Sequence, residues 1–197
     1  MSNFKDSKTA LNLMKAFAGE SQARNRYTYY AGVAKKQGFL QIANIFLETA
    51  DNEQMHAKLF YKKLLEHGLQ GEVMVLNDAG YPVALSEETL KNLEYAAGGE
   101  KEEYEIIYPL FAKIAEEEGY KDVAVLFKLI AAIEKKHHER YAQLAKNVAE
   151  HKVFKKDGKV FWKCIKCGFI TENIEAPETC PTCKHDRTHF EITTENY

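Results

Sequence analysis

Apolar residues recur with a helical period along the first 150 positions, and the recurrence breaks at a few glycines. Leu13, Phe17, Tyr27, Ala31 and Ala34 share one face of a helix predicted over about 7–36 and stopped at Gly38, a residue type that closes helices in the left-handed conformation. Ile42, Phe46, Thr49 and Phe60 do the same over about 39–67, stopped at Gly68. A connection of roughly 17 residues follows, with Gly71, Asn77, Asp78, Gly80 and Pro82 as turn formers. Ser86 is the expected N-cap of a third helix that runs to near Gly119. Val123, Phe127, Ile130, Tyr141 and Leu144 mark a fourth over about 120–150. After Lys152 the period shortens, and Lys159–Trp162 and Phe190–Ile192 read as short strands. The expected fold is mainly α, a four-helix bundle with one long crossover and a small C-terminal β module. Its expected domains are 1–150 and 158–197, joined by a linker at 151–157.

The two helical hairpins repeat each other. Gly19-Glu20 corresponds to Gly99-Glu100, Gly38-Phe39 to Gly119-Tyr120, and Glu53-x-x-His56 to Glu134-x-x-His137. The step from Gly38 to Glu53 is 15 residues, and so is the step from Gly119 to Glu134. Duplication of a hairpin is the simplest account. One offset breaks the match: Glu20 to Tyr27 is 7 residues, whereas Glu100 to Tyr108 is 8. From each tyrosine to its closing glycine the step is again 11 in both halves. An extra residue inside a helix predicts a π-bulge between Glu100 and Tyr108, beside Pro109.

Charge and cysteine usage narrow the function classes. With 27 Lys+Arg against 29 Asp+Glu the net charge is −2, which argues against a nucleic-acid partner. No run of 18 apolar residues is present, so no membrane span is expected. The stretch Met1–Asp6 lacks a signal-like apolar segment, and a cytoplasmic location is expected. All four cysteines fall in the last 34 residues, as Cys164-x-x-Cys167 and Cys180-x-x-Cys183 with twelve residues between the pairs. Without an export signal this pattern points to a four-thiolate metal site rather than to disulfides.

The helical stripes carry ionisable groups where apolar ones would be more stable. Glu20 interrupts the first stripe, Glu53 and His56 the second, and Glu134 and His137 the fourth, with Glu100 at the repeat-equivalent place on the third. A buried carboxylate must be paired, protonated or metal-bound. A single Glu-x-x-His is common by chance, but here two recur in register and each partner helix adds a glutamate. One Glu from each of two helices plus Glu-x-x-His from each of the other two is the donor set of di-iron and di-manganese bundles. Positions i and i+3 share a helix face, so the carboxylate can bridge two metals while the imidazole binds one. Glu103 stands three residues after Glu100, where the first half has Ala23, and is read as a further ligand; Glu102 and Glu105 are read as solvated. Five glutamates supply −5 against +4 from two divalent ions, a nearly neutral centre that can be buried. Tyr27 and Tyr108 face the same core and are candidates for lining the substrate side. His67, His138, His151, His185 and His189 are read as surface.

Four thiolates hold zinc or iron. Cys167-Gly168 and Cys180-Pro181-x-Cys183 look like the knuckles of rubredoxins, with Phe161, Trp162, Phe169 and Phe190 as an aromatic core, although the gap between the knuckles is shorter. With Gly19-Glu20-Ser21-Gln22-Ala23-Arg24, both Glu-x-x-His motifs, Glu100-x-x-Glu103 and Tyr108-Pro109, the whole chain resembles the rubrerythrin family in the arrangement with the bundle first. The resemblance implies a ferritin-like bundle holding two irons and a rubredoxin-like domain holding one, with zinc a substitute that the donors also accept. It further implies a peroxidase that reduces hydrogen peroxide to water in oxidative-stress defence. Electrons would come from rubredoxin or an NAD(P)H-dependent reductase and pass from the four-cysteine iron to the di-iron site. The residues matching His56 and Glu103 would exchange at one iron with redox state, and a homodimer or higher oligomer would bring the two centres together. A ferritin-type ferroxidase or iron-handling protein is the alternative, although storage needs no cysteine electron inlet. A zinc-ribbon interaction scaffold has no use for seven buried ligand-type residues.

Overall fold

The structure, a computed structural model, describes residues 3–194; the outermost positions of the two expected domains, 1–2 and 195–197, lie outside the described residues. Five α-helices build four rods: α1 (Lys8–Lys36), α2 (Leu40–Glu66), α3 (Thr89–Glu102) continuing into α4 (Tyr108–Glu117), and α5 (Lys121–Ala149). A π-helical segment, Glu103–Ile107, joins α3 to α4 where the extra residue predicted it. Its signature is the Tyr108 N–H donating to the Glu103 carbonyl five residues back, one residue further than in an α-helix. Pro109 follows at the start of α4, where a missing N–H costs least.

Both hairpins close by the same device. Gly38 (φ 82°) and Gly119 (φ 89°) adopt left-handed backbone, and the next residue's N–H reaches back to the helix: Phe39 to the Ala34 carbonyl (2.9 Å) and Tyr120 to the Ala115 carbonyl (2.8 Å). The hairpins also cap each other. The Glu118 carboxylate accepts from the backbone N–H of Lys8 (3.0 Å) and Thr9 (2.8 Å) and from the Thr9 hydroxyl (2.6 Å) at the start of α1. Gln37 Oε1 accepts from the Thr89 N–H (2.8 Å) at the start of α3. The third helix therefore starts at Thr89, with Glu88 and not Ser86 at the N-cap position. Ser86 is held outside the helix by the Asn92 side chain, which accepts from its N–H (2.8 Å) and donates to its carbonyl (2.9 Å).

Two apolar clusters fill the bundle. One gathers Leu13, Phe60, Tyr108 and Phe127; the other gathers Tyr30, Phe46, Leu93 and Tyr141. On every rod the ionisable core residues fall between the members of these two clusters, so the polar layer lies across the middle of the bundle.

The C-terminal module is a three-stranded antiparallel sheet in the order β2-β1-β3, from β1 (Lys155–Cys164), β2 (Ile170–Glu175) and β3 (Phe190–Ile192). Its β1 strand begins at Lys155, within the segment expected as a linker. Trp162, Phe190, Cys164 and Cys180 are buried with Phe169 packed against them. Phe161 departs from the expected aromatic core: strand alternation turns it to the other face, where it is 54% exposed. The module rests on the α1–α2 turn, with Phe154 stacked on Phe39 (centroids 6.2 Å) and Thr188 against Gly38. Among the described residues, no helix is long and apolar enough to cross a membrane.

Candidate metal centres

Six residues of the bundle converge in two overlapping groups whose donor atoms lie within 4.8 Å of one another: Glu20, Glu53, His56 and Glu134 in one, and Glu53, Glu100, Glu134 and His137 in the other. All six are buried. The shared members are the glutamates of the two Glu-x-x-His pairs, and their oxygens divide between the groups. Glu53 Oε2 lies 2.8 Å from His56 Nδ1, while its Oε1 lies 3.2 Å from His137 Nδ1. Glu134 Oε1 lies 2.9 Å from His56 Nδ1, and its Oε2 lies 2.8 Å from His137 Nδ1. Each of these glutamates thus belongs to both groups, with Glu20 and His56 completing one and Glu100 and His137 the other.

The tyrosines expected to line the substrate side also bond across the bundle, and Tyr108 lines the cavity beside Glu103. Each crosses the bundle to the other half's glutamate: Tyr27 donates to Glu100 Oε1 (2.6 Å), and Tyr108 donates to Glu20 Oε1. Burial foremost, and then the neighbouring carboxylates, push both phenols well above their ordinary range, so they remain donors. The second oxygens, Glu20 Oε2 and Glu100 Oε2, are buried with no hydrogen-bond partner. Buried orphan acceptors of this kind are costly unless a cation fills the space among them.

The electrostatics agree with that reading. Burial foremost, then surrounding carboxylates, raises Glu20, Glu100 and Glu103 well above the usual carboxylate range. Burial opposes a charge on His56 and His137, yet contacts with Glu134 and Glu53 raise them to about 10 and about 9. Burial would raise Glu53, but its bonds with His137 and His56 bring it below its ordinary value. The donor chemistry, carboxylate oxygen plus imidazole nitrogen, fits a pair of iron or manganese ions.

Glu103 lies outside both groups. It sits in the π segment, half-buried, on the wall of a cavity of about 300 Å³ that also touches Gly19, Gly99 and Tyr108. His56 is in the donor set and Glu103 is beside it. Glu102 and Glu105 are exposed, as read from the sequence. His67, His138, His185 and His189 are half-buried rather than on the surface, and the His138 ring nitrogen bonds the Ala97 carbonyl (2.8 Å) to tie α5 to α3. Asn52 escaped sequence reasoning: its Oδ1 lies 3.3 Å from His137 Nε2, a contact that orients the ring. The repeat offered no signal, because the equivalent position holds Ile133.

The four cysteines also converge, with Sγ atoms within 4.8 Å of one another. Cys164–Cys183 is 3.7 Å and Cys167–Cys180 is 3.6 Å, too long for disulfides and close to the edge of about 3.8 Å that a tetrahedral ion with bonds of about 2.3 Å requires. Two knuckles set the geometry. Gly168 (φ 78°) turns the first, with its N–H on the Cys164 carbonyl (2.9 Å); Lys184 (φ 63°) turns the second, with its N–H on the Cys180 carbonyl (3.0 Å). Burial would raise Cys180, but the N–H groups of Cys183 and Thr182 aim at its sulfur and draw it down to about 6, a thiolate-stabilising arrangement.

Comparison with known proteins finds matches over most of the chain. The rubrerythrin family model matches residues 12–145, and the model for the rubrerythrin, rubredoxin-like domain matches 162–191. The chain is 59% identical to rubrerythrin-1 of Clostridium acetobutylicum over 197 residues, covering 100% of both chains. It is 45% identical to rubrerythrin of Nitratidesulfovibrio vulgaris, covering 98% of this chain and 97% of that one. Among solved structures, fully reduced, all-ferrous nigerythrin superposes with a TM-score of 0.63 at 32% identity, covering 98% of this chain and 94% of the other.

Proposed function

The chain belongs to the rubrerythrin family, and on that premise we propose that it is a non-haem di-iron peroxidase that reduces hydrogen peroxide to water. The observation that carries this reading is the presence, in one chain, of a buried carboxylate–histidine donor set and a separate four-cysteine donor set. The first suits two irons and the second one iron. A ferritin-type ferroxidase needs only the first; a peroxidase that must deliver two electrons per turnover uses the second as an inlet.

When bound, the iron pair supplies the two electrons that break the O–O bond. The chain's residues set the conditions for it. Glu53 and Glu134, which belong to both donor groups, would hold the iron pair, with Glu20 and His56 in one group and Glu100 and His137 in the other. Tyr27 and Tyr108 fix one oxygen of Glu100 and one of Glu20, leaving the second oxygen of each aimed inward. Asn52 orients His137. His56 and Glu103 are assigned as alternating ligands of one position, with His56 in the donor group described and Glu103 at the cavity wall. The apolar clusters on either side of the layer keep bulk water out.

Electrons are assigned to enter at the cysteine site from rubredoxin or an NAD(P)H-dependent reductase in the cytoplasm. The exposed Cys167 edge is the face nearest such a donor. The module rests at the Gly38 end of its own bundle, 18 residues beyond Glu20, or about 27 Å along α1. Transfer between the subunits of a homodimer or higher oligomer supplies a shorter route. The test is peroxide consumption by the iron-loaded protein with a reduced rubredoxin and its reductase, beside a Cys183→Ser variant. The proposal expects turnover in the first and its loss in the second, with bundle iron retained. Equal turnover in both, or air-driven iron oxidation with no peroxide consumption, would favour the ferroxidase.

A further inference from the structure

We propose that the cavity beside the carboxylate layer admits organic hydroperoxides, so that the same centre reduces compact alkyl or aryl hydroperoxides to alcohols; this rests on the peroxidase reading. The cavity measures about 300 Å³. Hydrogen peroxide has two heavy atoms, and even a water occupies only about 30 Å³ of liquid, so the small substrate leaves most of the space unused. Pockets for organic ligands begin at about 300 Å³ and are mainly apolar with a few polar groups at one end.

The lining has that division. At the inner end lie the backbones of Gly19 and Gly99, the residues just before Glu20 and Glu100, together with Tyr108 and Glu103. The inner end is open: a Cβ on Gly99 would meet nothing within 4 Å, and one on Gly19 would meet only Tyr81, at 3.8 Å. Ile106, Ile107, Leu110 and Phe111 supply an apolar flank, and Arg26, which also donates to Gln22 Oε1, supplies N–H groups for a hydroperoxide head, with Glu102 on the same wall. The outer wall is the crossover segment 78–82, fastened over the opening at two points. Lys15 Nζ pairs with Asp78 Oδ1 (2.8 Å), and the Tyr81 hydroxyl donates to the Lys15 carbonyl (3.1 Å). A segment fastened in this way fixes one wall of the cleft.

The reaction balances as ROOH + 2 electrons + 2 protons → ROH + H2O. The O–O bond breaks, the electrons come from the reduced metal pair and are refilled by the nicotinamide-fed donor, and the protons come from solvent. R is an apolar group of about nine carbons or fewer, a size the chamber volume sets.

The test uses the iron-loaded full chain and a Leu110→Trp variant. Leu110 is half-exposed on the apolar flank and is not one of the donor residues, so an indole at this position takes up chamber volume without changing the donor set. Two readouts are taken: binding of cumyl alcohol, which has no O–O bond, followed by broadening of its methyl proton resonances, and turnover of cumene hydroperoxide beside hydrogen peroxide. The expected result is saturable alcohol binding that weakens at least about tenfold in the variant, with kcat/KM for cumene hydroperoxide falling to match and that for hydrogen peroxide held within about twofold. Absence of saturable alcohol binding, or equal loss of both peroxides in the variant, overturns the inference while hydrogen peroxide turnover by the unaltered protein preserves the peroxidase reading. If the unaltered protein turns over neither peroxide, that reading fails and takes this inference with it.

Discussion

The first and second hairpins are one design used twice, and they differ where it matters. Both end at a left-handed glycine, both present Glu-x-x-His on the outgoing helix, and both carry a glutamate and a tyrosine on the incoming one. Each also completes the other. Tyr27 of the first holds Glu100 of the second, and Tyr108 holds Glu20; Glu118 caps α1, and Gln37 caps α3. Reciprocal contacts of this kind make neither hairpin's polar groups satisfiable without its partner. The difference is the single extra residue of the second. Where α1 runs unbroken and buries Ala23 three residues after Glu20, the third rod relaxes into a π segment and turns Glu103 toward a cavity. One half keeps a fixed wall and the other gains an adaptable one.

The largest expected effect tests the shared part of the design. Glu53→Ala and Glu134→Ala should each strip the bundle of most of its metal, to below about 0.5 iron per chain by elemental analysis, while about one iron stays on the cysteines. Loss in one variant but not the other would break the equivalence of the halves. The next tests the asymmetric part: Glu103→Ala should lower peroxide turnover at least about tenfold, or about 1.4 kcal/mol of barrier, with the cysteine-iron spectrum unchanged, and Glu102→Ala should stay within about twofold. Wild-type turnover in Glu103→Ala removes its role.

The reciprocal bonds come third. Tyr27→Phe and Tyr108→Phe should each destabilise the metal-free protein by about 1–3 kcal/mol in urea unfolding, since each strands a buried carboxylate oxygen. A large difference between the two would show that the crossing contacts are not matched. The smallest effect concerns the caps. Glu118 is mostly solvated, and its loss in Glu118→Gln should cost about 0.5–1 kcal/mol. Burial opposes its charge, but the Thr9 hydroxyl and the amides of Thr9 and Lys8 hold its carboxyl below the ordinary range. A lowered folded value means that this stability is present above the ordinary carboxylate pKa and disappears as pH falls through the folded one. Urea midpoints measured from neutral to acid pH should therefore converge for Glu118→Gln and the unaltered protein, and a constant gap would contradict the assignment.

The sequence made the repeat legible because the closing glycines and the Glu-x-x-His pairs keep their spacing, and it made the π segment legible because one residue had to be absorbed somewhere between Glu100 and Tyr108. It did not reveal the crossed tyrosine bonds, since periodicity says which face a residue occupies and nothing about the partner it meets across the core. The start of α3 was misread because Ser86 has the chemistry of a cap, and only the tertiary contact with Asn92 draws it away. Phe161 was misassigned because an aromatic pair on a strand cannot both face inward. Asn52 was invisible, being a small polar residue whose role exists only once α2 and α5 are side by side.

The most direct test of the two-centre account is an anaerobic stopped-flow optical measurement, with the fully reduced, iron-loaded protein mixed against hydrogen peroxide and, separately, against air-saturated buffer. The account predicts the red colour of oxidised four-cysteine iron appearing rapidly with peroxide and much more slowly with air, because the cysteine iron feeds a bundle centre that reacts with peroxide. A cysteine site that stays reduced, or that oxidises faster with air than with peroxide, would contradict it.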